Sequence, residues 1–370
     1  MKDQYVADLG DYGKYSLLRA FLDASVRVGI NWYLTEDDGS DDGKFTDYLD
    51  DESEKSLRKY DPDVFDSLKQ IKKTDRTTHG VERSGLLSGS CIYNKRLDCS
   101  GKQQERREKR RDWHSEALEK LADCFLVFLD PDNGLRKDAK LSRNADKYVF
   151  PDEVRDYYQN TQNVIYYCHK GRRTTEEWER YKSIMPKRLP GAKPIVLTYH
   201  KGTHRSYIFL IHPDNYERFR VIIDDFLSRW EGIFTEEPVQ DPDIRKYHAF
   251  ASKWADIFRK EAGFEWIFES GSFVKDAREA ECVMDAFQSF NEVFPKSRVI
   301  KDNDALKRLL DTDSRVTAPL LGAMIFSHWR YYNHWADSVP EQRVREWFIT
   351  ALEHLAKMTE QKCIGMNTIH

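Results

Sequence analysis

The stretch Phe125-Leu-Val-Phe-Leu-Asp130-Pro-Asp-Asn-Gly-Leu135 decides how the chain is read. Its continuous apolar run, Phe125 to Leu129, describes a strand covered on both faces, as in a parallel sheet flanked by helices. Asp130-Pro-Asp-Asn-Gly134 then supplies two acids among residues that end strands and make turns. Asp130 leaves a buried run and is expected to sit partly desolvated. That favours a partner for its charge, either a cation or a substrate amine.

Working outward, similar apolar runs occupy 164–168, 194–199 and 206–211, and a shorter β-like run covers 29–34. Helical spacing marks 12–24, with Asp11 as its expected N-cap, and also 152–160, 174–185 and 214–230. Strands alternating with helices predict an α/β domain with a doubly wound, mostly parallel sheet. The turn Lys201-Gly-Thr-His204 is short enough to close it with an antiparallel hairpin. His200 and His204 have metal-ligand spacing, but that spacing falls on a turn and reads as chance. Polar helices are expected over 52–75, broken at Asp61-Pro62. A further helix is expected over 101–122, with Trp113, Leu118 and Leu121 facing in. Two prolines among acids in Glu236-Glu-Pro-Val-Gln-Asp-Pro-Asp243 mark a linker. Beyond it every segment reads as helical: 243–262, 276–290, 302–311, 318–335 and 340–360. The domains are therefore expected at 1–237, α/β, and 243–370, an all-α accessory domain.

Bulk properties agree with two domains. The chain has 370 residues, 40% hydrophobic and 13% aromatic, enough for two cores. A net charge of −4 says little about partners. No apolar run is long enough to span a membrane, and the first residues lack the apolar core of a signal peptide. The six cysteines include no Cys-x-x-Cys pair, so there is no zinc signal and a reducing cytoplasm is expected.

Open α/β sheets bind ligands beyond the carboxyl ends of their strands. Asp37 and Asp38 follow the first strand, with Gly39, Asp41 and Asp42 close behind. Asp130 and Asp132 follow the second. His169, Lys170, Arg172 and Arg173 follow the third, and His200, Lys201, His204 and Arg205 the fourth. Acids and cations gathered on one rim can bind a metal, orient phosphates or move protons. The run Lys102–Arg111, which includes Arg107 and Arg110, places six cations along one helix and suits nucleic-acid phosphates. In the second domain Ile325-Phe-Ser-His-Trp-Arg-Tyr-Tyr-Asn-His-Trp335 mixes aromatics with polar groups. The spacing of Leu321, Ile325, Trp329 and Tyr332 is that of a core-facing helix.

Two strings carry a resemblance. Tyr5-Val-Ala-Asp-Leu-Gly-Asp-Tyr-Gly-Lys-Tyr-Ser-Leu-Leu-Arg19 and Leu129-Asp-Pro-Asp-Asn-Gly-Leu135 resemble an uncharacterised bacterial family that has both. More distantly, residues 1–230 are similar in motif order to the bacterial ribosomal RNA adenine-N6 methyltransferases. Gly10-Asp-Tyr-Gly-Lys14 stands where those enzymes have Gly-Asn-x-x-Asp-x-x-Lys. Asp37 and Asp38 stand at their acidic residue after the first strand, and Asp130-Pro-Asp-Asn133 at their Asp-Pro-Pro-Tyr. Residues 194–211 stand at their closing hairpin. The resemblance implies a Rossmann-like, methyltransferase-like fold. It implies S-adenosylmethionine held near Lys14, Asp37, Asp38 and Gly39. Two departures stand out. The acidic loop lacks a compact Gly-x-Gly, and Asp132-Asn133 offers no aromatic face for a flipped base.

These readings converge on a nucleic-acid-directed enzyme. Asp130, Asp132, Lys170 and His169 are its expected catalytic groups. Asn133, Arg172, Arg173, Arg205, Arg107 and Arg110 are expected at the substrate. The alternative is a metal-dependent nuclease or phosphohydrolase, with Mg²⁺ on Asp130 and Asp132 and a setting such as defence against foreign DNA. A third reading is a catalytically degenerate binding protein.

Overall fold

The computed structural model describes residues 1–39, 43–50, 55–136, 141–189, 191–260, 264–281, 286–287, 290, 293, 302–313, 315–332 and 340–365. Asp41, Asp42, Asn333, His334 and Trp335 lie outside the described residues. The chain forms two compact units, 1–174 with 192–239, and 175–191 with 240–370.

The first unit is built on a seven-stranded sheet: β1 Val28–Asn31, β2 Cys91–Tyr93, β3 Leu126–Leu129, β4 Asn163–Cys168, β5 Lys193–Tyr199, β6 Arg205–Ile211 and β7 Phe234–Glu237. Their order is β2-β1-β3-β4-β6-β5-β7. β1 pairs in parallel with β2 and β3, and β3 with β4. β6 runs antiparallel between β4 and β5, and β7 runs antiparallel along β5. Five of the seven strands thus run in one direction, so the sheet is mostly parallel, and the hairpin expected from 194–211 closes it. β2 and β7 were not foreseen. β2 has only three residues, too few for a pattern. β7 is an edge strand whose Glu236 made it look like linker.

All four residues of β3 are buried, as a strand covered on both faces requires. Helix α1 (Leu9–Asp23) puts Leu17, Leu18 and Phe21 into the core beside Phe209 and Phe219. Short α2 (Lys55–Arg58), α3 (Pro62–Thr74, capped by Asp61) and α4 (Thr78–Arg83) follow, then α5 (Gln103–Lys120) and α6 (Pro151–Gln159). Ile223 and Phe226 of the Tyr216–Arg229 helix complete this core.

The second unit is helical. Its longest members, Ile244–Arg259 and Glu341–Gly365, run against each other, with Ala318–Arg330 beside them. The helices Thr175–Lys182 and Ile184–Arg188 belong to this unit, although the linear reading placed 174–185 in the first domain. Ion pairs tie them there: Lys187 to Asp241 at 2.8 Å and Arg180 to Asp243 at 3.4 Å. Leu321 and Ile325 are fully buried, and Trp329 and Tyr332 pack on the same core, as the core-facing reading expected. His328 stacks on Trp347 at 3.8 Å between ring centres. Among the described residues no helix is long and apolar enough to cross a membrane.

Candidate active-site pocket

The site begins in the first turn of α1. Asp8 caps the helix, accepting from the backbone N–H of Asp11 at 3.0 Å. The cap lies three residues before the expected one, and this releases Asp11. One Asp11 oxygen accepts from the Ala7 N–H at 3.0 Å and the Tyr15 O–H at 3.1 Å. The other meets Lys14 Nζ at 2.7 Å, since residues three apart share a helix face. Lys14 Nζ then reaches Asp130 Oδ2 at 2.8 Å. The two strings that carry the resemblance, 116 residues apart, therefore meet in one ionic contact. The glycines of the first string are steric. A Cβ at Gly10 would lie 2.1 Å from the Arg205 guanidinium carbon, and one at Gly13 would lie 2.9 Å from the Tyr199 ring. Their absence lets α1 run close to the hairpin.

A cavity of about 530 Å³ opens above this cluster. Lys14, Asp11, Asp130, Asp132 and Asn133 line it. His169 and Lys170 reach it from the end of β4, and His204 and Arg205 from the hairpin turn. Four aromatics share the lining: Tyr5, Phe45, Tyr167 and Tyr207. Tyr167 and Tyr207 are register partners across β4 and β6. The cavity therefore sits over the carboxyl ends of β3 and β4, where such sheets bind ligands. Arg205 donates to Asp8 at 2.7 Å on the same wall.

Burial sets the electrostatics. It opposes the charge of Lys14, but Asp11 and Asp130 outweigh it and hold the ammonium well above the usual lysine range. Burial also pushes the Asp130 carboxyl up, and Lys14 offsets this only in part. Asp11 is raised by the same burial, with Lys14 pulling down and Asp8 pushing up. Arg205 is raised because Asp8 overcomes its burial. His169 is lowered by burial and then by Arg173 and Arg205, which favours the neutral ring.

Among the expected site residues, the cavity brings together Lys14, Asp130, Asp132, Asn133, His169, Lys170 and Arg205. The others lie elsewhere. Asp37 accepts from the Gln4 N–H at 3.1 Å, and Asp38 is held by Lys2 and by Lys147 at 3.4 Å. Gly39 has a left-handed backbone and no atom within 4 Å of a Cβ placed there. Arg172 is exposed, and Arg173 donates to the carbonyls of His169 and Lys170. Arg107 is exposed on α5. Arg110 is the clear correction to the basic-stripe reading. It shares the inward face with Trp113, His114 and Ala117, and its guanidinium binds Glu153 at 2.6 and 2.8 Å. Carbonyls of Ala145 and Tyr148 take two more of its five N–H donors, and its carbon stands 4.0 Å from the Phe150 ring centre. Its outward neighbours are also engaged: Lys109 with Asp98 and Arg106 with the Leu141 carbonyl.

The sequence reading missed Asp8, Tyr5, Phe45, Tyr167 and Tyr207, and gave Asp11 only a capping role. The i, i+3 spacing of Asp11 and Lys14 was the available signal. Phe45 gave none, since it lies alone in a loop.

Two cofactor expectations meet obstacles. The strand order turns back between β1 and β3, the usual ligand crevice. There the Met1 amino nitrogen lies 3.1 Å from the Tyr33 carbonyl and 3.0 Å from that of Asp130, and Thr35 N–H donates to the Met1 carbonyl. Trp32 and Tyr33 are fully buried where a glycine turn would be needed. These residues do not form a cradle for S-adenosylmethionine. The donor set does not fit Mg²⁺ either. Asp130 faces Lys14, and Asp132 faces the Met1 amino nitrogen at 2.6 Å and Lys2 at 3.8 Å. Among the described residues no three His, Cys, Asp or Glu side chains gather as a metal site.

Comparison with protein-family models, curated proteins and solved structures finds no match to this chain.

Proposed function

We propose that the first unit is a nucleic-acid-directed enzyme on a methyltransferase-like scaffold, which takes a base into the pocket with the exocyclic amine at Asp130. The observation that carries this reading is the Asp11–Lys14–Asp130 cluster at the pocket floor. Two carboxylates against one ammonium leave a surplus acceptor. A floor of that kind favours a hydrogen-bond donor such as an aromatic amine over a phosphate oxygen. Arg205 and Lys170 on the lining, with exposed Arg172 nearby in sequence, suit the flanking phosphates. The scaffold is supported by β6, antiparallel between β4 and β5, which corresponds to the closing hairpin of the adenine-N6 methyltransferases. No step is assigned to S-adenosylmethionine, because the β1–β3 crevice does not offer it a cradle.

The test is fluorescence anisotropy with labelled single-stranded DNA and RNA, followed by intact-mass analysis of the oligonucleotide with S-adenosylmethionine or Mg²⁺ added. Wild type is expected to bind, Asp130→Asn to bind about tenfold more weakly, and any mass change on a base to identify the group transferred. A chain that binds neither DNA nor RNA is not this enzyme.

A further inference from the structure

We infer that Phe45, with Tyr5 beside it on the pocket lining, is the stacking face for the base, replacing the aromatic that Asp132-Asn133 lacks. This deepens the function proposed above and rests on it. Phe45 is 64% exposed, one of three large hydrophobics so exposed among the described residues, and it alone of the three lines the cavity. An exposed phenyl ring contributes little to folding. Its backbone, by contrast, is firmly held. The Phe45 carbonyl accepts from the N–H of Leu9, the first residue of α1, at 3.0 Å. Arg76 fastens the loop to the N-terminal turn by donating to the carbonyls of Val6 at 2.8 Å, Gln4 at 2.7 Å and Gly43. That guanidinium links residues on both sides of Tyr5 to the loop that carries Phe45. The arrangement is an aromatic wall on a bonded backbone beside an acceptor-rich floor. An apolar ring carried on a bonded backbone at the lining of a polar pocket matches a planar heteroaromatic occupant, because stacking accepts any base while the floor selects for its amine. A bare phosphate has no use for such a wall.

The experiment uses the full chain and a single-stranded oligonucleotide carrying 2-aminopurine, whose emission is quenched by stacking. Wild type is expected to change that emission on binding. Phe45→Ala should abolish the change and weaken binding about tenfold, and Phe45→Trp should restore both. Because the ring is exposed, both variants should unfold at the wild-type denaturant midpoint. An unchanged emission response and affinity in Phe45→Ala overturn the inference while leaving the base-binding reading in place. Loss of binding in Phe45→Ala together with full binding in Asp130→Asn supports the wall and removes the centre of that reading. If wild type binds no oligonucleotide, both fall.

Discussion

Arg110 with Glu153, and Lys14 with Asp11 and Asp130, are buried ion clusters in the same unit, and they end differently. The first is closed: one cation, one carboxylate, two carbonyls and an aromatic face leave neither charge wanting a partner. The second is open, with more acceptor than donor and a cavity above it. A balanced buried pair is explained by architecture. A buried surplus facing a cavity invites a ligand. The two clusters also respond to pH in opposite senses. Burial pushes Glu153 up, but Arg110 overcomes it and the net shift is downward. Its stabilisation is therefore present above the unfolded carboxyl value, near ~4.3, and is lost as pH falls through the folded value. Asp11 and Asp130 are raised. Their contribution is full below ~3.9 and is lost as pH rises through their folded values.

Breaking the closed pair should have the largest effect. Arg110→Ala leaves Glu153 buried without its cation and is expected to cost about 3–5 kcal/mol in urea unfolding. Replacing Arg110 by Met and Glu153 by Leu together should recover most of that loss. A near-neutral Arg110→Ala would mean that the residue is not the buried anchor described. Lys14→Met comes next, at about 3 kcal/mol near neutral pH. The loss should shrink as pH is lowered, because protonation relieves the two carboxylates. A pH-independent loss would argue against their coupling.

Smaller effects sharpen the same contrast. Wild-type stability should decline as pH rises above the usual carboxylate range, through the raised carboxyls. Asp130→Asn should flatten that decline, read from denaturant midpoints at each pH. Smallest of all, Arg172→Ala should weaken oligonucleotide binding a few-fold and reduce the salt slope by about one, with stability unchanged.

Much of the fold was legible because burial writes itself into strands. Leu126–Leu129 is apolar throughout since both faces are covered, and the Lys201–His204 turn is too short for anything but a hairpin. The strand ends were legible for the same reason, as charge abruptly following an apolar run. What escaped was whatever depends on partners distant in sequence. Arg110 and Arg107 look alike in a basic run, yet the face shared with Trp113 sends Arg110 into the protein. Asp11 resembles a cap, and only Asp8 standing in that position frees it for Lys14. Phe45 becomes meaningful only once Arg76, Leu9 and the cavity are known.

On this reading the open cluster receives the ligand. The most direct test is anisotropy of a labelled single-stranded oligonucleotide with wild type, Asp130→Asn and Arg107→Ala at one salt concentration. About a tenfold loss is expected for Asp130→Asn with the chain still folded in the assay, and little change for Arg107→Ala on the α5 surface. Equal affinity for wild type and Asp130→Asn, with Arg107→Ala the weaker binder, would contradict it and move the site from the pocket to the helix.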